Sequence, residues 1–437
     1  MTLRARLLEQ LAPWRAAPAW RVALSGGLDS TVLLHALVQL AQRESLPPIS
    51  AIHIHHGLQA AADAWPEHCR ALCAGLHVPL EIVYVQVEDT GSLEQRAREA
   101  RYQAFTERLG ADEVMFVAQH RDDQAETLLF RLVRGAGVQG LAAMPVIRPL
   151  GAGHLVRPLL GFSRAELQEY ADEHGLHWVE DPSNSDEHFS RNYLRQQVMP
   201  QLAKRWPQVS MAMARSAAHQ AEAGELLDEL AAIDLLDAAD SSGIGWLGLP
   251  SLNLEVLRGL SEARQRNALR FWLRPFTRMP DSVHWAGWVA LRDADADAVP
   301  VWRLHSGELR RTGGRVWWLS GCWLQPVAEH EWPVRSGQAL CLPGNGRVEV
   351  GVLPSVGHYT VGYRRPGEVA EVSGRGRRDL KRLLNELCIP VFVRDRLPLL
   401  RRDGAVVAIA NVPQLRSIVG DRGLINWIPP TSDQGLS

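Results

Sequence analysis

Residues 22–34 read VALSGGLDSTVLL. An apolar run breaks at Ser25-Gly26-Gly27 and resumes with helix-like spacing. A strand-to-helix turn with two glycines, an aspartate and the hydroxyls of Ser25, Ser30 and Thr31 suits a phosphate group. Such a turn offers free backbone N–H groups and the positive end of a helix dipole. Gly26 and Gly27 let the backbone approach an anion closely. Phosphate would repel Asp29 unless that residue holds magnesium or a donor of the ligand. The alternative is a tight turn that only packs a helix on a strand. The G-x-x-x-x-G-K-[ST] loop is excluded, because the chain has no Gly-Lys dipeptide. The G-x-G-x-x-G dinucleotide fingerprint is also missing at this turn.

Short apolar runs recur at 21–24, 50–54, 80–87 and 114–118, separated by amphipathic stretches at 28–43, 61–77 and 92–109. This alternation predicts an α/β domain built on a parallel sheet with helices on both faces. A further helix is expected over 122–134, then a Gly-rich turn, a polar loop at 180–192 and a long helical stretch from about Asn192. Residues 215–275 read as helical with a break near 242–250, and short strands dominate from 300, interrupted by one helix near 377–388. Three parts are expected: an α/β nucleotide-binding domain over 1–205, a mainly helical domain over 206–325 and a small α+β domain over 326–437.

With 437 residues the chain is too long for one ordinary core. A net charge of −2 leaves any nucleic-acid contact to local basic patches. The cations are almost all arginine, with lysine only at 204 and 381. Five cysteines without a C-x-x-C pair give no disulfide framework and argue against zinc or iron–sulfur ligation. No run of eighteen apolar residues predicts a membrane span, and no signal-peptide core forms, so a reduced cytoplasm is expected.

A second cluster of polar residues follows. In AIHIHHGLQ (51–59), alternation sets His53 and His55 on one strand face and Ile52 and Ile54 on the other. In HRDDQAET (120–127), Asp122, Asp123 and Glu126 open a helix, where negative charge suits the dipole. Asp123 and Glu126 are three apart and share a face. With His120 they can hold a cation, either magnesium or an amine.

Taken in order, SGGLDS, HIHHGL, HRDDQAET, RGAGVQGLAAM, RPLL, EDPSN and RN resemble the tRNA(Ile)-lysidine synthetase family, within the PP-loop ATP pyrophosphatases. The tail LKRLLNELCIPVFVRDRLPLL resembles that family's C-terminal domain. The resemblance implies that ATP adenylates the C2 carbonyl oxygen of the wobble cytidine of an isoleucine tRNA with a CAU anticodon. The side-chain amine of free lysine then displaces AMP. It implies ATP binding by Ser25, Gly26, Gly27, Asp29 and Ser30, with Asp29 as magnesium ligand or as orienter of a reacting group. It implies lysine binding by Asp123, Glu126 and His120, with Arg191 meeting a phosphate or the cytosine ring. A homodimer is also carried as an expectation. For the RNA itself, Arg98 and Arg101 lie three apart on one helix, and Arg375, Arg377 and Arg378 lie in GRGRRDLKR (374–382). Residues 361–402 carry eleven Arg or Lys against five Asp or Glu. Arg264, Arg266 and Arg270 add charge in the middle of the chain. For every such cation the alternative is a solvated face. Rival readings are a PP-loop tRNA thiolase, which commonly needs a reactive cysteine pair, a small-molecule adenylating synthetase, and an RNA-binding protein with an inactive nucleotide fold.

Overall fold

The computed structural model describes residues 2–57, 60–86, 93–239, 244–279, 282–295, 298–327, 329–353, 356–372, 376–412 and 424–431. They fall into two units, Met1–Leu226 and Leu227–Ser437.

In the first unit, α1 (Leu3–Leu11) precedes β1 (Trp20–Ala23), in which Trp20 and Val22 are fully buried. The chain breaks at Ser25-Gly26-Gly27 and enters α2 (Leu28–Ala41), most of which is buried. β2 (Ile49–His55), α3 (Trp65–Gly75), β3 (Leu80–Tyr84), α4 (Leu93–Arg108) and β4 (Val114–Phe116) follow. Then come α5 (Arg121–Val133), α6 (Val138–Leu141), β5 (Ile147–Leu150), β6 (Gly153–Val156) and α7 (Arg164–Glu173). The sheet order is β3-β2-β1-β4-β6-β5. All neighbours pair in parallel except β5, which turns back on β6 through Gly151 at φ +56°. One face packs Val22 and Ala51 against Val32 of α2, Cys69 of α3 and Leu167 of α7. The other packs Ile52 and Met115 against Ala104 and Phe105 of α4. Burial on both faces explains why these strands read as continuous apolar runs. The unit continues through α8 (Ser190–Tyr193), a π-helical turn at Leu194–Val198, α9 (Met199–Arg205) and the start of α10 (Val209–Leu236).

The second unit contains two apolar clusters. In the first, β7 (Ser251–Asn253), α11 (Leu254–Arg258), α12 (Glu262–Leu273) and α13 (Ala286–Asp293) precede three strands. These are β8 (Val301–Arg303), β9 (Glu308–Thr312) and β10 (Arg315–Leu319), in the antiparallel order β7-β10-β9-β8. Leu257, Leu269, Trp288, Trp302 and Trp318 form its core. The second cluster begins with β11 (Trp332–Pro333), β12 (Ala339–Cys341), β13 (Arg347–Val350), β14 (Tyr359–Gly362), β15 (Val369–Val372) and β16 (Gly376–Asp379). It ends with α14 (Leu380–Glu386), α15 (Val391–Arg394), β17 (Leu399–Arg402), β18 (Ala405–Ile409) and β19 (Ile425–Ile428). The sheets run β11-β14-β17-β18-β15-β16 and β12-β13-β19. Val361, Leu384, Leu400 and Trp427 lie in their shared core. The helix expected over 377–388 begins three residues later. Asp379 accepts from Arg382 N at 2.8 Å as its N-cap, and Arg377 and Arg378 belong to the edge strand β16. Among the described residues no helix is long and apolar enough to cross a membrane.

Candidate active site

Strand order reverses at β1, because β2 and β3 lie to one side of it and β4 to the other. In an open parallel sheet, ligands bind beyond the strand C-termini at such a switch point. The loop after β1 and the loop after β4 both end there.

After β1, Ser25 N and Ser25 Oγ lie 3.2 and 3.0 Å from Ser30 Oγ, which also donates to Gly27 O at 3.1 Å. These bonds curl the loop around the start of α2. Gly26 sits at φ +86°, a conformation that favours glycine. A Cβ there would stand 3.1 Å from Val179 Cγ2 and 3.3 Å from Cys69 Sγ. So α3, which carries the cysteines, packs directly against the loop. Asp29 occupies the first turn of α2, with Oδ1 buried and without a hydrogen-bond partner. Burial raises its pKa; Asp123 adds to the rise, while His120, Arg164 and Arg195 oppose it.

After β4, His120 caps α5. Its Nδ1 accepts from Asp122 N at 3.2 Å, and Asp123 Oδ2 accepts from His120 N at 3.1 Å. Nε2 is left as the N–H, 3.7 Å from Asp29 Oδ2 and 3.5 Å from Asp123 Oδ2. His120 thus stands between the acid of the β1 loop and the acid of the β4 loop.

Asp123 and Glu126 share a face, as their spacing requires, and meet two arginines. Arg191 donates to Asp123 Oδ1 at 3.0 Å and to Glu126 Oε2 at 3.2 Å. Arg195 donates to Asp123 Oδ1 at 2.8 Å and to both oxygens of Glu126 at 2.7 and 2.8 Å. Burial pushes the Asp123 carboxyl up, but His120, Arg191, Arg195 and the His120 amide outweigh it and hold it below the usual range. Burial pulls Arg195 down, but Glu126, Asp123 and Asp29 outweigh it and raise it. His120 joins Asp29, Asp122 and Asp123, and Arg191 joins Asp123 and Glu126. Among the described residues no group of three His, Cys, Asp or Glu forms a metal cage.

A cavity of about 940 Å³ is lined by Ser25, Gly27, Asp29, Ser30, His53, Arg101, Asp123 and Arg195 among others, and Glu126, His120 and Arg191 stand behind that lining. The alternation of the sequence gives His53 a strand face and no role. It is 2% exposed, its Nδ1 lies 2.8 Å from Leu24 O, and its Nε2 has no partner. A carbonyl only accepts, so Nδ1 carries the proton and Nε2 is a bare acceptor. Arg101 lines the cavity, while Arg98 stacks on Tyr102 with its guanidinium carbon 4.9 Å from the ring centroid. Arg195 is the residue that the sequence reading missed. It lies one helical turn beyond Arg191, and the two buried acids of HRDDQAET were the signal that further cations were needed.

The basic tail resolves into different uses. Arg401 is 1% exposed and pairs with Glu331 and Glu368; Arg396 is 5% exposed and donates to backbone carbonyls. Arg364 pairs with Asp395, and Arg365 with Glu331. Arg377 and Arg378 are exposed on the edge strand, and Arg375 lies outside the described residues. In the middle of the chain, Arg264 pairs with Asp234, Arg266 with Glu262, and Arg270 stacks on Trp285.

Residues 1–202 match the PP-loop domain model, 252–317 the TilS substrate binding domain and 359–427 the TilS substrate C-terminal domain. The tRNA(Ile)-lysidine synthase of Pseudomonas aeruginosa is 59% identical over 100% of this chain and 99% of its own length. That of Pseudomonas fluorescens is 58% identical over 99% of this chain and 98% of its own. The synthase of Escherichia coli O157:H7 is 39% identical over 92% of this chain and 94% of its own. Identity at this level along the full length settles the family: the chain belongs to the tRNA(Ile)-lysidine synthases.

Proposed function

We propose that the protein joins free lysine to C2 of the wobble cytidine of an isoleucine tRNA with a CAU anticodon, using ATP and releasing diphosphate and AMP. The observation that carries this reading is the meeting of the Ser25–Ser30 loop and Asp123 at one cavity, with His120 between Asp29 and Asp123, in a chain of this family.

The C2 oxygen attacks the α-phosphorus of ATP and diphosphate leaves. Ser25, Ser30 and the N–H groups at the start of α2 stabilise the charge on the phosphates. Asp29, with its unpaired Oδ1, would hold a magnesium ion, which when bound would supply positive charge to the phosphates. Lysine's ε-amine then attacks C2, AMP departs with the former C2 oxygen, and the amine loses a proton. Asp123 and Glu126 bind the amine and take part in that proton's removal, with His120 beside them. Arg191 positions the acids and faces the cytosine or a phosphate.

Residues 1–205 carry the chemistry in this reading, and 206–325 and 326–437 bind tRNA, the latter through Arg377, Arg378 and their neighbours. A cytoplasmic location and a homodimer belong to the same proposal. The thiolase reading loses support from Cys69 and Cys73, whose buried thiols are pushed up to about 12 and about 11, far from a reactive thiolate at neutral pH.

The test is release of diphosphate and AMP by the purified protein with ATP and tRNA transcript, with and without lysine. Diphosphate release that needs tRNA, and AMP release that needs both tRNA and lysine, is the expected result. Lysine-dependent AMP release in the absence of RNA would overturn it in favour of a small-molecule synthetase.

A further inference from the structure

We propose that Arg98, Arg131, Arg148 and Arg157 form a binding site for a phosphodiester of the RNA strand, on the outer side of the cavity wall at Tyr102. The proposal rests on the reading of an RNA substrate given above. It adds where the strand next to the reacting nucleotide is held.

The four arginines come from α4, α5, β5 and the segment after β6, so they are no charge run on one helix. Three of them converge on a single phenol, Tyr102, and Arg131 lies in the field of Arg98. The guanidinium carbons of Arg98 and Arg148 lie 4.9 and 4.5 Å from the Tyr102 ring centroid. Arg157 lies close enough to Tyr102 for each to shift the other, and is only 3% exposed. It is fixed by Gln119 Oε1 at 2.9 Å and Pro145 O at 2.8 Å. Arg131 is anchored on Gly140 O and Ala143 O at 2.9 and 2.8 Å.

The partners described for these four, backbone carbonyls, Gln119 and Tyr102, are all neutral. Among the described residues none of them forms an ion pair with a carboxylate. The contrast with Arg191 and Arg195, which face two acids, is direct. Buried charges are normally paired, and gathered like charges repel, so four cations without an acid leave an anion's place open. The local field registers on the groups themselves. Burial pushes the Tyr102 phenol up, yet Arg98, Arg157 and Arg148 outweigh it and bring it below the ordinary tyrosine value. Burial and Arg98 lower Arg131.

Guanidinium forks match phosphate oxygens in pairs, and a fork already held on backbone carbonyls loses little freedom on binding. Tyr102 and its neighbour Arg101 also line the cavity. An anion on the four arginines therefore sits just outside the chamber in which a base would react. A nucleotide drawn out of an anticodon loop needs this arrangement, with the base inside and the backbone gripped at the rim.

Phosphate oxygens reach this protein from two sources, the RNA backbone and ATP, and the variants separate them. Arg98→Gln/Arg148→Gln removes two charges without cutting the anchoring bonds of Arg131 and Arg157. The probe is tRNA transcript, with affinity measured across a salt series and KM measured separately for tRNA and for ATP. The expected result is tRNA binding weaker by about tenfold or more. The slope of log affinity against log salt should flatten by roughly 1.4 to 1.8. Arg98→Lys/Arg148→Lys should recover most of the slope. Unchanged affinity and slope would overturn the site. A raised KM for ATP with intact tRNA affinity would also overturn it, since the anion would then be ATP's. Should the double variant melt well below the parent, Arg148→Gln alone gives the reading, with a flattening of roughly 0.7 to 0.9 expected. Failure of the functional reading looks different: the parent would release no lysine-dependent AMP, while its salt slope would still report on the phosphate site.

Discussion

Glu126→Gln removes one of four charges from a group that balances as two carboxylates and two guanidiniums. The Glu126 side chain is 4% exposed and Asp123 11%, while each arginine keeps 35%. Glu126 accepts three guanidinium bonds, at 2.7, 2.8 and 3.2 Å. Removing one partner of a fully buried pair costs about 3–5 kcal/mol. Two features lower that figure here. The arginines are a third exposed and can rehydrate, and Asp123 remains as an anion for both. The expected cost is therefore that of weakened bonds to charged groups, about 1.5–3 kcal/mol. A unit of this size loses about 2–4 °C of Tm per kcal/mol, so the transition should fall by roughly 3–12 °C. If the acid also binds lysine's amine, the lysine KM should rise about ten- to hundredfold at saturating ATP, and the ATP KM far less. The assays are a thermal melt and AMP release against lysine concentration. A Tm within about 1 °C of the parent would refute the argument that this acid holds the two arginines. A lower Tm with an unchanged lysine KM would keep the cluster as structure and remove it from the amine site.

Asp29 should behave in the opposite sense. Its raised pKa means that the folded state disfavours the charge, so ionisation destabilises the fold above the unfolded pKa of about 3.9. Asp29→Asn should gain about 0.5–2 kcal/mol at pH 7 and nothing at pH 3, where both states are protonated, while diphosphate release is lost; full activity in a melt-stable Asn variant would remove Asp29 from the chemistry. At the edge strand β16, replacing Arg377 and Arg378 with Gln should weaken tRNA binding and flatten its salt dependence by roughly 1.4 to 1.8. Identical slopes for variant and parent would mean that the two arginines only guard an exposed strand edge against pairing.

The parallel sheet was legible because strands buried on both faces leave apolar runs, and the helices between them leave a 3.6-residue pattern. The β5–β6 hairpin left no such mark. Its strands have four residues each, and β5 holds Arg148 and Pro149 at a sheet edge with Ile147 exposed. The same holds for β16, where all four residues are exposed and only backbone pairing with β15 makes a strand. Its arginines resembled a helix start because Leu380–Glu386 follows at once. Charge counting misled in a related way. The excess over 361–402 is real, but Arg401 and Arg396 are spent inside the fold, on Glu331, Glu368 and backbone carbonyls. Composition counts cations and does not see which acids face them.

At the site, what is local was readable and what is distant was not. The Ser25–Ser30 loop is made by bonds among six consecutive residues. Arg195 meets Asp123 and Glu126 from 72 and 69 residues away, out of a π-helical turn. One physical rule points to it: two acids buried on one helix face need two cations. The same rule constrains the chemistry proposed for the pair. Two carboxylates offer about eight lone-pair sites, and six hydrogen bonds already fill most of them. An incoming ammonium would be the third cation against two anions. It must displace a guanidinium from some of those sites, or shed its proton as it docks. Acids already neutralised by their own arginines give an ammonium little net attraction, and burial lowers the pKa of an amine. A site that holds its own arginines in place therefore favours the neutral amine, which is the form that attacks carbon.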